Sequence, residues 1–234
     1  MLPLAPRSAL LLVVVVVLLL SGPAGVFGQQ RLLDFSGAVY GMSPTLGETG
    51  VGWNRELEPG AFDWASMQPN RSSAFLWDKT DTALEAAQQR GSRILPILAY
   101  TPGWAQSNLT GCSYPATSRS DWERYVAATV GRYMAKGVTH WQIWNEPGWP
   151  NKPFYCGTEA SFVLDVYLPA ARIIRAHGGK VVFGGWVSIY GIAAYKELLL
   201  LGDGSETVLE MTDVLCAPDQ TVLLGVQSCT AACH

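Results

Sequence analysis

Glu146 is the side chain in this sequence best placed to do chemistry. It stands in the run His140-Trp141-Gln142-Ile143-Trp144-Asn145-Glu146-Pro147-Gly148-Trp149-Pro150. Residues 141–144 read as a short buried strand. Pro147 has no N–H to give to a sheet ladder, so the backbone leaves the sheet there. Glu146 then lies at the carboxyl end of a strand, beside the Asn145 amide and among three tryptophans, Trp141, Trp144 and Trp149. A carboxyl walled by indoles loses solvation, its pKa rises, and it keeps a proton near neutral pH. Such a group can protonate a glycosidic oxygen, and indole faces suit the apolar faces of sugar rings. An isolated Asn-Glu pair is otherwise a solvated loop carboxylate or a helix cap. The proline and the tryptophans favour the acid, as do charged residues at barrel-strand ends in general.

The elements that must position Glu146 follow from the patterning. Residues 37–40 read as a first strand and 51–55 as a second. The link between them, 42–50, is rich in Gly, Pro and Thr. It is too short for a packed crossover helix, which needs about ten residues or more, so the first helix is missing or collapsed. Asp78 or Thr80 can cap a helix running to Arg90, with Ala83, Leu84 and Ala87 inward and Gly91 as its stop. Residues 94–99 form a third strand, whose near-continuous apolar character suits a parallel sheet buried on both faces. Tyr100 and Trp104 fall just past it, where they either line a sugar subsite or pack under the loop. Ser120 with Glu123 makes a capping-box pattern ahead of a helical stripe through Trp122, Tyr125, Val126, Val130 and Tyr133. After the fourth strand, Thr158 starts a helix with Phe162, Val166, Ile173 and Ile174 inward, and Pro169 is expected to kink it. Residues 180–187 form a fifth strand ending near Trp186, 193–201 a short helix, and 212–217 the start of a sixth strand.

Strand and helix alternate at about thirty to forty residues per unit, the rhythm of a (β/α)₈ barrel. Doubly wound nucleotide-binding folds share that rhythm, but no G-x-G-x-x-G follows the first strand. His140 and His177 precede strands and so lie on the far rim from Glu146. No metal constellation stands out, and no cofactor is expected.

The segment Trp141-Gln142-Ile143-Trp144-Asn145-Glu146-Pro147 resembles the fourth-strand signature of clan A glycoside hydrolases. It is nearest to the family 39 type and more distantly similar to the family 5 cellulases. Gly50-Val51-Gly52-Trp53-Asn54-Arg55, Trp64-Ala65-Ser66-Met67-Gln68-Pro69 and Trp77-Asp78-Lys79-Thr80-Asp81 resemble the second-strand region of that family. Arg93-Ile94-Leu95-Pro96-Ile97-Leu98-Ala99-Tyr100-Thr101-Pro102-Gly103-Trp104-Ala105 resembles its third. The resemblance runs from about Phe35 to about Leu215. It implies an α/β fold of the TIM-barrel type and a retaining glycosidase acting on a β-linked carbohydrate. Glu146 would be the general acid/base, and Asn145 would bind the sugar's 2-hydroxyl. Arg55 would support the nucleophile's carboxylate, the rival reading being a surface arginine. Tyr100, Trp104, Trp144 and Trp149 would contact substrate.

The second carboxylate is the gap. Retaining enzymes need two carboxyls about 5–5.5 Å apart, and in clan A the nucleophile is a glutamate ending strand seven. Glu56, Glu58, Asp203 and Glu206 do not lie in a matching motif. Six strands are legible, so the barrel is expected to be incomplete: a partial barrel over 35–217, then a divergent tail over 218–234. Three readings follow: a glycoside hydrolase whose nucleophile comes from a fuller product, an inactive truncated product, or a secreted sugar-binding module.

The chain has 234 residues, enough for one domain with a sizeable core, and a net charge of −3 that offers nothing to nucleic acid or to an anionic membrane. Residues 1–28 read as a secretory signal peptide: Arg7, an apolar run to Leu20, then small and turn-forming residues up to Gly28. The rival is an uncleaved signal anchor. Five cysteines fit an oxidising compartment. Cys112 follows the third strand and Cys156 the fourth, so both loops share one face of a barrel and the two are expected to pair. Cys216, Cys229 and Cys233 leave one thiol unmatched. Asn70-Arg71-Ser72 and Asn108-Leu109-Thr110 are N-glycan acceptor patterns.

Overall fold

The computed structural model describes residues 37–39, 52–55, 60–107, 111–147, 154–183, 192–215 and 227–228. Its paired strands run parallel throughout. β1 (Gly37–Val39), β2 (Trp53–Arg55) and β3 (Arg93–Leu95) form one sheet in chain order. β4 (Ile97–Leu98), β5 (His140–Ile143), β6 (Lys180–Phe183), β7 (Val214–Leu215) and β8 (Gln227–Ser228) form a second, also in chain order.

The break between the sheets falls at Pro96, in the middle of what patterning reads as a single strand. Proline has no N–H, so the ladder toward β2 ends at Leu95. The Pro96 carbonyl still accepts from Gln142 N at 2.9 Å on the β5 side. β3 and β4 therefore act as two halves of one stave, and the order of staves is that of a (β/α)₈ barrel. Among the described residues β1 and β8 do not pair with each other, and the barrel is not closed. The sixth strand expected over 212–217 is β7. β8 adds a further parallel stave inside the stretch read as a divergent tail; the rest of that tail, the 42–50 link and residues 1–28 lie outside the described residues.

Helices cover the outer face of the sheet: α1 (Trp64–Met67), α2 (Asp78–Gln89), α3 (Arg119–Met134), α4 (Glu159–Ser161), α5 (Leu168–Ala176) and α6 (Ile192–Leu200). Several helix ends differ from expectation. α2 starts at Asp78, with no side-chain cap; the Thr80 hydroxyl is buried and donates to Ala61 O at 2.5 Å instead. α3 starts before Ser120, after an N-cap at Ser118 that makes no side-chain cap bond. The Ser120–Glu123 box is thus already inside the helix. Thr158 does cap α4, accepting from Ser161 N at 3.1 Å. Pro169 does not sit in the middle of an α-helix. A π-helical segment, Phe162–Tyr167, precedes it, and α5 restarts with the proline in its first turn, where an N–H is not needed.

Strand alternation sorts the side chains into two layers. Ile94, Trp141, Ile143, Val181 and Phe183 face the helices and join Leu84, Tyr125, Val130 and Ile174 in the main core. Leu95 and Val182, with Trp53 and Val214 against them, form the smaller inner cluster. Each large side chain buried in this way contributes about 1.5–3 kcal/mol. Arg55 follows Trp53 by two residues, and Gln142 pairs with Val182. Both therefore belong to the inner layer, which is how a sheet of apolar staves delivers polar groups to its carboxyl-terminal rim.

Candidate active site

β5 keeps one ladder bond past its last residue, from Trp144 N to Leu98 O at 3.0 Å. The backbone then turns sharply: Trp144 has φ +64° and Glu146 φ +45°. Left-handed backbone at residues other than glycine is sparsely populated and costs about 1–3 kcal/mol each, so it persists where surrounding contacts hold it. Here the contacts are visible. Gln142 Nε2 donates to Trp144 O at 2.7 Å, and Trp144 Nε1 donates to Phe154 O at 3.1 Å.

Arg55 comes to the same place from β2. Its Nε donates to Gln142 Oε1 at 2.8 Å and its Nη2 to Asn145 Oδ1 at 2.5 Å. With 7% exposure it is a buried cation and not a surface arginine. Glu146, the next residue, is half-buried. Loss of solvation raises its carboxyl above the ordinary glutamate range, and the positive charge of Arg55 opposes this in part. The site is thus a carboxyl held toward its protonated form, next to an amide oriented by a guanidinium.

The tryptophans behave differently from expectation. Trp144 was expected at the substrate surface, but it has 0% exposure. Its ring meets Tyr100, Trp122 and Tyr155 at centroid distances of 5.5, 6.0 and 5.5 Å. The positive φ swings its indole off the rim and into the layer between sheet and helices. Trp141 is also fully buried, with Nε1 on Met134 Sδ at 3.4 Å. Trp141 and Trp144 are thus both enclosed in the core, and Trp149 lies outside the described residues. Trp104 is half-buried and packs edge-on against Trp64 at 5.3 Å, its Nε1 donating to Gln68 O at 2.9 Å. These contacts anchor it to the α1 segment, the loop-packing alternative. Tyr100 is half-buried and stacks near Phe154 at 6.2 Å, so it stays beside the Trp144 turn.

Cys112 and Cys156 form a disulfide with a Cα–Cα distance of 5.9 Å. It ties the loop after β4 to the loop after β5, on either side of the Asn145-Glu146 segment in the chain. Asn70 is exposed in a turn closed by Ser73 N donating to Asn70 O at 3.1 Å. Asn108, Trp186, Glu56, Glu58, Cys216, Cys229 and Cys233 lie outside the described residues. Asp203 and Glu206 are both bonded to Arg172, at 2.6 and 2.7 Å. His140 opens β5 at its amino end, beside Trp53, and His177 caps the end of α5. Among the described residues no cluster of His, Cys, Asp and Glu could hold a metal ion.

Gln142 is a residue of the site to which no sequence motif gives a role. An amide flanked by Trp141 and Ile143 in a buried strand is itself the signal, since a buried polar side chain is nearly always hydrogen-bonded.

No family model and no curated protein matches the sequence. Solved structures match its shape. A monomeric β-xylosidase from Caulobacter crescentus CB15 superposes with a TM-score of 0.56 at 17% identity, over 80% of this chain and 41% of that one. The family 39 glycoside hydrolase from Xanthomonas axonopodis pv. citri gives 0.54 at 18% identity, over 80% and 40%. A thermostable mutant of a xylanase from Cellvibrio japonicus gives 0.55 at 16% identity, over 80% and 60%. The chain spans between two fifths and three fifths of these proteins' lengths. At such identities the likeness is one of architecture: this chain has the fold of the TIM-barrel glycosidases, and among the described residues the barrel is not closed.

Proposed function

We propose that this chain carries the acid/base part of a retaining glycoside hydrolase acting on a β-linked oligo- or polysaccharide. The observation that carries the reading is the half-buried Glu146 carboxyl, raised by desolvation, at the end of β5 beside Asn145 and Arg55. Protonated Glu146 gives its proton to the leaving glycosidic oxygen; as carboxylate it then takes one from the attacking water. Arg55 donates to Asn145 Oδ1, so the Asn145 NH₂ is left to donate to a sugar hydroxyl. Tyr100 is half-buried, its ring 5.5 Å from that of Trp144, the residue before Asn145. The buried Trp144 takes one stacking surface away from a pure sugar-binding module.

The nucleophile is the part this chain does not supply in a matching motif. A second carboxylate about 5–5.5 Å from Glu146 is required for the covalent step. The chain by itself is therefore expected to bind sugar and turn over little. The fold neighbours named β-xylosidase and xylanase make β-xylo-oligosaccharides the first ligands to test.

The experiment is a ligand titration of the purified chain by NMR, with aryl β-xyloside hydrolysis run in parallel. Xylo-oligosaccharide is expected to shift the Asn145, Glu146 and Tyr100 resonances, with hydrolysis near background. A folded chain in which no β-linked oligosaccharide of a broad panel perturbs those resonances refutes the reading. Robust hydrolysis abolished by Glu146→Gln retains the acid and refutes the missing nucleophile.

The same proposal includes secretion, with 1–28 as a signal peptide, in keeping with the Cys112–Cys156 disulfide. Expression in a secretory host is expected to yield a shorter amino terminus and a glycan on Asn70 that Asn70→Gln removes.

A further inference from the structure

Gln142 is fully buried and uses both arms of its amide. Its oxygen accepts from Arg55 Nε at 2.8 Å, and its nitrogen donates to Trp144 O at 2.7 Å. That carbonyl belongs to the peptide joining left-handed Trp144 to Asn145. Gln142 therefore holds at once the cation of the site and the backbone turn on which Asn145 and Glu146 stand.

We infer that Gln142 is the positioning residue of this site, its neutral amide locking the Trp144 turn while leaving the charge of Arg55 uncancelled beside Glu146. The inference rests on the reading of Glu146 as the acid. Each alternative side chain breaks one half of the arrangement. A glutamate keeps the bond to Arg55 but cancels its charge and repels the Trp144 carbonyl. A methionine of similar length orphans both partners, and a buried polar group left without its bond costs about 1–3 kcal/mol. Of the residues bonded to Arg55, Asn145 is also neutral. Among the described residues no carboxylate is bonded to the guanidinium, so it acts on Glu146 as a cation, and Gln142 keeps it so.

The test reads the proton equilibrium of Glu146: loosened packing would resolvate the carboxyl and move its midpoint down, whereas loss of the cation moves it up. The Glu146 side-chain carboxyl is assigned by comparison with Glu146→Gln and titrated by carbon-detected NMR in the unaltered chain, in Gln142→Glu and in Gln142→Met. In the unaltered chain the Arg55 Nε–H and one Gln142 Nε2–H are expected to exchange slowly with water; rapid exchange of both overturns the inference before any variant is made. In Gln142→Glu the midpoint of Glu146 is expected to move further up, because the cation is cancelled. In Gln142→Met it is expected to move up as Arg55 loses its anchor, and the slow Arg55 proton disappears. A folded variant whose midpoint coincides with that of the unaltered chain overturns the inference. If Glu146 titrates in the ordinary carboxylate range in the unaltered chain, the acid reading itself fails, which is a separate result.

Discussion

Replacing Asn145 by alanine removes the acceptor of Arg55 Nη2, at 2.5 Å in a part-buried setting. The guanidinium is 7% exposed, so water cannot fully replace that acceptor. Hydrogen bonds to charged groups contribute about 1.5–3 kcal/mol. With a urea dependence of about 2 kcal/mol per molar, the unfolding midpoint should fall by about 1 M. Arg55→Met removes the donor and leaves Gln142 Oε1 without it, so its own cost is of the same order or greater. The informative quantity is the coupling. If the bond forms in solution, the double variant costs less than the sum of the singles by about 1.5 kcal/mol. The assay is equilibrium urea unfolding of all four proteins, followed by tryptophan fluorescence; the nine tryptophans provide ample signal. A coupling energy under about 0.5 kcal/mol is what independent sites give. That result would refute the claim that Arg55 orients the Asn145 amide, and with it the assignment of the Asn145 NH₂ to the sugar.

Three further outcomes follow from the same geometry. The Glu146 carboxyl is raised above its ordinary 4.5, so the folded chain holds this proton more tightly than the unfolded chain does. That contribution is complete below about pH 4.5 and is lost as pH rises through the folded-state value. Above the folded-state value ionised Glu146 therefore destabilises relative to glutamine: the advantage of Glu146→Gln should grow as pH rises through that value and close as pH falls below about 4.5, by calorimetry. The Cys112–Cys156 bridge spans 44 residues, for which chain entropy gives about 4 kcal/mol. Cys112→Ser with Cys156→Ser should lower the urea midpoint by about 2 M at the same urea dependence, and added reductant should bring the unaltered chain to the same value. Trp144→Ala should cost about 3–5 kcal/mol as a core deletion. Full retention of stability, with sugar binding alone lost, would return this indole to the substrate surface.

Much of the architecture was legible because it follows local rules. The stripe Trp122, Tyr125, Val126, Val130, Tyr133 repeats at helical spacing and is buried as read. Thr158 caps its helix because a hydroxyl before the first turn needs only the N–H three residues on. The place of Glu146 at a strand end was legible from Pro147, which cannot join a ladder whatever surrounds it.

Other features needed the rest of the chain in place. Ser120 has the right partner for a capping box, yet the helix begins earlier, at Arg119 after an N-cap at Ser118. Pro96 divides a strand whose residues all read as apolar, since its neighbours and not its own side chain need the missing N–H. Period-two alternation says nothing about the sign of φ at Trp144, where the strand ends in a left-handed turn and the indole is buried. Arg55, Gln142 and Asn145 are separated by as many as 90 residues, and only parallel pairing through the third stave closes that gap to hydrogen-bond distance. Residue types and local spacing are enough to single out Glu146; which groups govern its proton depends on contacts that exist only after the staves have assembled.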